Sequence, residues 1–87
     1  EKFVLLFVGQ HIWEKNLSFL LEALASVRHL SFQMYFVGTG YAERELRRMA
    51  DKLLLSERVR FIGALTDRNE LERYYASADL FLFTFFI

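Results

Sequence analysis

No cysteine and no proline occur among the 87 residues of this chain, and glycine is limited to four. Without cysteine there is no disulfide to staple a small domain, and the usage fits a reducing compartment. The sequence offers no reason for the missing proline. Net charge is absent too, because 11 basic and 11 acidic side chains cancel. No long-range field therefore favours nucleic acid or an anionic membrane surface, and any bound anion must be held locally. Long apolar runs are also missing. The opening EKFVLLFVGQ is interrupted too soon, by Gly9, Gln10 and His11, to be a signal peptide or a membrane span. The expectation is a soluble, cytoplasmic parent protein with no transmembrane segment, peripheral at most to the inner membrane face.

What is present is core-forming material. Hydrophobic residues reach 54% and aromatics 17%, with ten phenylalanines, which excludes a disordered or low-complexity segment. The length allows one domain, near the lower limit for an unstapled core. Phe3–Val8 is a continuous apolar run stopped by Gly9, short enough for a strand covered on both faces. Leu17, Leu20, Leu21 and Leu24, joined by Ala23 and Val27, recur at helical spacing and predict a helix over about 16–29, with Asn16 as its cap. "FQMYFV" at 32–37 predicts a second strand, ended by "GTG". Leu46, Met49, Ala50 and Leu53 mark a second amphipathic helix over about 42–54. A third strand is expected at 58–62. A third helix is opened by Asp67 and Glu70 at capping-box spacing, and a fourth, very apolar strand runs over Leu80–Ile87.

Strand and helix alternate throughout, with neither a repeat nor a linker in evidence. That order predicts an α/β, Rossmann-like parallel sheet, β-α-β-α-β-α-β, with helices on its faces. In the common winding, strands two and three lie on one side of strand one and strand four on the other. Ligands then bind beyond the carboxyl ends of strands one and four, where the winding reverses. The loop from Gly9 to Lys15 falls there.

Several residues could carry chemistry. Gly9 would let a ligand approach the backbone closely, amides at the start of the first helix would face the same crevice, and Lys15 adds a full charge. A solvated lysine is the plainer reading. Gly38 and Gly40 do not make a dinucleotide fingerprint, since the third glycine would fall at Glu43. They read as a strand-to-helix turn, with ligand contact as the alternative. His11 and His29 lack the companions of a metal site or a catalytic triad and read as ordinary surface or packing residues. Trp13 and Tyr41 read as packing, with stacking on a base or sugar as the lesser alternative. Arg44, Arg47, Arg48 and Lys52 are balanced by Glu43, Glu45 and Asp51 and read as a wet helix face.

Taken in order, "FVGQHIWEKNLSFLLEAL", "MYFVGTGYAERELRRMA", "ERVRFIGAL" and "LERYYASADLFLF" resemble the C-terminal, nucleotide-sugar-binding half of retaining GT-B glycosyltransferases of the glycosyl transferases group 1 (family 4) type. The resemblance covers nearly the whole chain. It implies that residues 1–87 form a single truncated donor-binding domain of a longer protein whose N-terminal acceptor domain is the partner across the cleft. It implies a UDP- or GDP-linked sugar as donor substrate, with no cofactor and no bound metal required. Gly9 and Lys15 match the family's phosphate-binding glycine and lysine. Gln10 stands where the family has an arginine, and losing a charge-assisted contact of that kind costs on the order of 1.5–3 kcal/mol. By the same resemblance, Gly38 and Gly40 border the donor pocket, and the backbone of Phe61, Ile62 and Gly63 reads the nucleobase edge. The family's two glutamates, seven residues apart, are expected after "ADLFLF", beyond the last residue, so no turnover is expected of these residues alone. A nucleotide-sugar epimerase of the same architecture and a non-catalytic α/β module are the rival readings, with a nicotinamide-binding domain a distant third. The Leu80–Ile87 strand, without a following helix to cover it, is a candidate for self-association.

Overall fold

The computed structural model describes residues 2–82, leaving aside the side chain of Glu14. Four parallel strands form one sheet: β1 (Phe3–Val8), β2 (Phe32–Val37), β3 (Val59–Gly63) and β4 (Leu80–Phe81), in the order β3-β2-β1-β4. Three helices of ten residues connect them, α1 (Leu17–Ser26), α2 (Glu43–Lys52) and α3 (Arg68–Ser77), with a short 3-10 turn at Trp13–Lys15 ahead of α1. The winding therefore reverses between β1 and β4, as the sequence predicts. Right-handed crossovers running in opposite directions must place their helices on opposite faces. Accordingly α1 and α2 pack together on one face, whereas α3 lies on the other, where Tyr74 meets Tyr35 edge-on at 5.3 Å.

The first face holds the core. Pairing is in register, so Leu5, Met34 and Val59 form one cross-strand row and Phe7, Phe36 and Phe61 the next. The predicted α1 stripe of Leu17, Leu20, Leu21 and Leu24 is buried against these rows, and Leu46 and Ala50 of α2 complete the cluster. Ala23 does not join that stripe and is exposed. Burying one leucine of this kind is worth about 1.5–3 kcal/mol, so the stripe outweighs the weak intrinsic preferences of the helix.

Helix ends depart from expectation for local reasons. Asn16 occupies the N-cap of α1, but in a left-handed conformation (φ 59°) and without a capping side-chain bond, because it also closes the preceding 3-10 turn. The helix stops at Ser26, whose hydroxyl donates to the Ala23 carbonyl at 2.6 Å. α2 stops at Lys52 because Leu54 turns left-handed (φ 62°). Leu55 N–H then reaches the Ala50 carbonyl at 2.8 Å and Leu54 N–H that of Asp51 at 3.1 Å, a Schellman closure built on leucine rather than glycine. Asp67 caps α3 through the amide of Asn69 at 2.9 Å, two residues on rather than at Glu70. β4 is seen as Leu80–Phe81; the rest of the predicted Leu80–Ile87 strand, and the self-association assigned to it, lie outside the described residues.

Candidate functional site

The carboxyl ends of β1, β2 and β3 carry the same three-residue pattern, Phe7-Val8-Gly9, Phe36-Val37-Gly38 and Phe61-Ile62-Gly63. At three residues, this repeat is too short to stand out in the sequence alone. In a parallel sheet its consequence is direct: the three phenylalanines pair side by side across the strands, whereas a one-residue shift after Phe36 sets Gly63 opposite Val37. Phe36 and Phe61 are stacked at 5.0 Å, and Phe7 follows at 5.9 Å from Phe36.

The glycines let the rim turns interlock. Gly9 N–H donates to the Val37 carbonyl at 3.0 Å and Gly38 N–H to the Gly63 carbonyl at 2.8 Å. A Cβ on Gly38 would overlap the Gly9 carbonyl oxygen, and one on Gly40 would overlap that of His11. Both positions of the "GTG" turn thus permit backbone to pass against backbone. Gly63 is different: it has φ +90°, but a Cβ there would meet nothing.

His11 sits at the centre of this knot and is fully buried, not a surface residue. Its N–H donates to the Thr39 carbonyl at 3.1 Å, and its carbonyl accepts from Ala42 N–H at 3.0 Å. The ring lies about 6 Å from each of Phe7, Phe36 and Phe61, edge-on to the last two. Among the described residues neither ring nitrogen has a partner of good hydrogen-bond geometry; Nδ1 lies 3.5 Å from Glu43 Oε1, a long contact that becomes an ion pair only when the ring is protonated. Burial holds the imidazole below its usual value of 6.5, with the Glu43 carboxylate opposing that shift and Arg47 reinforcing it.

Glu43 and Arg47 correct the reading of α2 as a merely wet face. The Arg47 guanidinium donates to Glu43 Oε2 at 3.1 Å and to the Phe61 carbonyl at 3.2 Å, and it lies over the Phe61 ring at 5.0 Å. Exposed helical pairs of this spacing contribute only about 0.3–0.5 kcal/mol, so the arrangement fixes geometry more than it adds stability. Arg48 and Glu45 form an ordinary surface pair at 3.0 Å.

Lys15 ends the 3-10 turn, exposed, one residue before the cap of α1, whose first turn contains no acidic side chain. Gln10 is exposed on the same rim. An apolar slot of about 250 Å³ opens at the carboxyl ends of β1 and β4, lined by Val8, Tyr75, Phe81 and Leu82. A larger groove of about 400 Å³ follows β3, with Arg47, Asp51, Arg60, Phe61 and Ile62 among its walls. Gly9 and Lys15 line neither. Trp13 and Tyr41 are both exposed and meet where Trp13 N–H donates to the Tyr41 hydroxyl at 3.3 Å; His29 is exposed. Among the described residues no three histidine, cysteine, aspartate or glutamate side chains gather as a metal ion would need, and no helix is long and apolar enough to cross a membrane.

The strand order, the helix placement and the glycine-lined rim define a Rossmann-like α/β domain of the kind found in GT-B glycosyltransferases. Residues 1–85 match the family described as "Glycosyl transferases group 1", and the chain belongs to that family. Solved structures agree. WaaG, a glycosyltransferase involved in lipopolysaccharide biosynthesis, is 31% identical over 94% of the chain with a TM-score of 0.75. Anabaena Alr3699/HepE, solved with UDP and glucose, is 26% identical over 95% with a TM-score of 0.79. The C-terminal domain of LpcC from Francisella tularensis, 19% identical over 91%, superposes with a TM-score of 0.80 and shows the likeness of fold. The chain spans only 22% of WaaG, 23% of HepE and 44% of the LpcC domain. No curated protein matches it.

Proposed function

We propose that these residues are the donor-binding part of a retaining, family 4 type glycosyltransferase, which moves a hexosyl group from a UDP- or GDP-linked sugar to an acceptor held by an N-terminal domain of the same protein. One observation carries the reading. At the reversal of winding, the Gly9 turn leads through Glu14 and Lys15 to a helix whose own first turn carries no acidic side chain. A cation next to helix-end amides in sequence suits a diphosphate, whose charge grows as the sugar departs, and stabilising that charge is electrostatic catalysis. Gly9, Gln10 and Lys15 hold the phosphates, Gly38 and Gly40 shape the pocket wall, and Phe61, Ile62 and Gly63 present backbone to the base. The scheme asks for no cofactor and no metal ion. UDP in the related HepE structure supports the choice of ligand. A cytoplasmic protein that draws on soluble nucleotide sugars fits the same picture.

Titrating UDP and GDP into the intact protein tests the proposal. Saturable binding, weakened at least about fivefold by Lys15→Ala as befits a lost charge-assisted contact, supports it. Retention is read from the anomeric configuration of the product by NMR. A second reading, a non-catalytic module, is favoured by Gln10, which brings no charge to a position where the family has arginine. Absence of nucleotide binding in folded protein would select it. Turnover of the nucleotide sugar to its epimer, with no acceptor consumed, would select the epimerase instead.

A further inference from the structure

The loop after β1 and the end of β3, proposed above to hold phosphate and base, belong to different strands, and one run of side chains joins them. His11, in the first loop, faces Glu43 at 3.5 Å; Glu43 holds Arg47 at 3.1 Å; Arg47 holds the Phe61 carbonyl at 3.2 Å and covers its ring at 5.0 Å. The far end of this chain meets an irregular place. The β2–β3 register shifts after Phe36, so Phe36 pairs with Phe61 but Val37 with Gly63, and Ile62 is the extra residue of a bulge. Bulges of this kind re-aim the backbone and loosen the ladder that would otherwise fix it.

Two contacts restore that definition, one on each side of Ile62. Gly38 N–H holds the Gly63 carbonyl at 2.8 Å, and Arg47 holds the Phe61 carbonyl. Ile62 is thus framed by two anchored carbonyls, one tied to the second rim turn and the other, through Glu43, facing the first.

We propose that Glu43 and Arg47 are positioning residues that hold the Phe61–Gly63 backbone in register with the phosphate loop, and so set the affinity for, and choice of, the nucleobase of a bound nucleoside diphosphate. The proposal rests on the donor-site reading above and extends it to residues that touch neither phosphate nor sugar. Both side chains lie on α2, one turn apart, and Arg47 is half-exposed, so replacing it removes the brace without opening the core. A shift of the framed backbone by even a fraction of an ångström would degrade contacts to a planar base, while a diphosphate on the first loop would be unaffected.

The experiment compares dissociation constants of UDP, GDP, ADP and inorganic pyrophosphate, by calorimetry, for the intact protein and for Arg47→Met, Glu43→Gln and Arg47→Lys. Expected is a loss of roughly fivefold or more for the preferred nucleotide in Arg47→Met, a smaller loss in Glu43→Gln and partial recovery in Arg47→Lys. Pyrophosphate should stay within about twofold, and discrimination among the three nucleotides should narrow. If nucleotide and pyrophosphate weaken together, or neither changes, the brace has no role in base selection and the proposal is overturned. Lys15→Ala separates this from failure of the donor-site reading. That variant should weaken all four ligands, and if the parent protein binds none of the four, both proposals fall. Circular-dichroism melts of each variant, expected within a few degrees of the parent, identify any loss that comes from unfolding instead.

Discussion

The two halves of the sheet's carboxyl rim are built differently. Between β1 and β2 the turns interlock: Gly38 and Gly40 press on the carbonyls of Gly9 and His11, and the His11 ring fills the space beneath. After β3 the chain leaves in the open, with Gly63 at φ +90° beside empty space and Ile62 out of register. One half is held by main chain against main chain and tolerates no added atom. The other is held by an exposed arginine and one amide, and it can be tuned by side-chain changes alone. On the proposed donor-site reading, a rim divided this way gives a fixed anchor for the constant diphosphate and an adjustable edge for the variable base.

Replacing each glycine tests that division. Gly38→Ala should destabilise by about 3 kcal/mol or more, since strain at a positive φ adds to a backbone overlap that neither turn can relieve. Gly63→Ala should cost only about 1 kcal/mol, the conformational part alone. Urea unfolding measures both, and equal costs would abolish the distinction between the halves.

His11 gives the locked half a dependence on pH. Its folded pKa is depressed, so between that value and 6.5 the unfolded chain binds more protons than the native one. The contribution to stability is complete above about pH 6.5 and is lost as the pH falls below it. In His11→Phe this downward slope should shrink, which unfolding midpoints at pH 7.5 and pH 5.5 will show. The smallest effect has the opposite sign. Leu54 already holds a left-handed conformation with an exposed side chain, so Leu54→Gly should stabilise by about 0.5–1 kcal/mol, raising the midpoint without touching the rim.

The strands were the most legible elements, because β1 is an apolar run and β2 a nearly apolar one broken only by Gln33, each stopped by glycine. Helix ends were less so. Nothing in "ADKLLLSE" marks Leu54 as the residue that turns left-handed, for its conformation is imposed by Leu55 seeking the core. The rim was half legible. Gly9, Lys15, Gly38 and Gly63 could be named as punctuation, but the burial of His11 depends on three phenylalanines from three strands. The contact of Glu43 and Arg47 with that cluster likewise needs the packing of α2 over the sheet. The repeated Phe-x-Gly offset was the available signal, and its meaning appears only once the strands are known to be parallel and paired at Phe7, Phe36 and Phe61.

Among the described residues β3 is the outermost strand on its side of the sheet, and an outermost strand offers its unpaired peptide groups to any neighbouring chain. By occupying the Phe61 carbonyl with a charged, half-exposed side chain, Arg47 spoils the last rung of that template. The contact that steadies the end of β3 thus leaves one acceptor fewer for a stranger to zip onto.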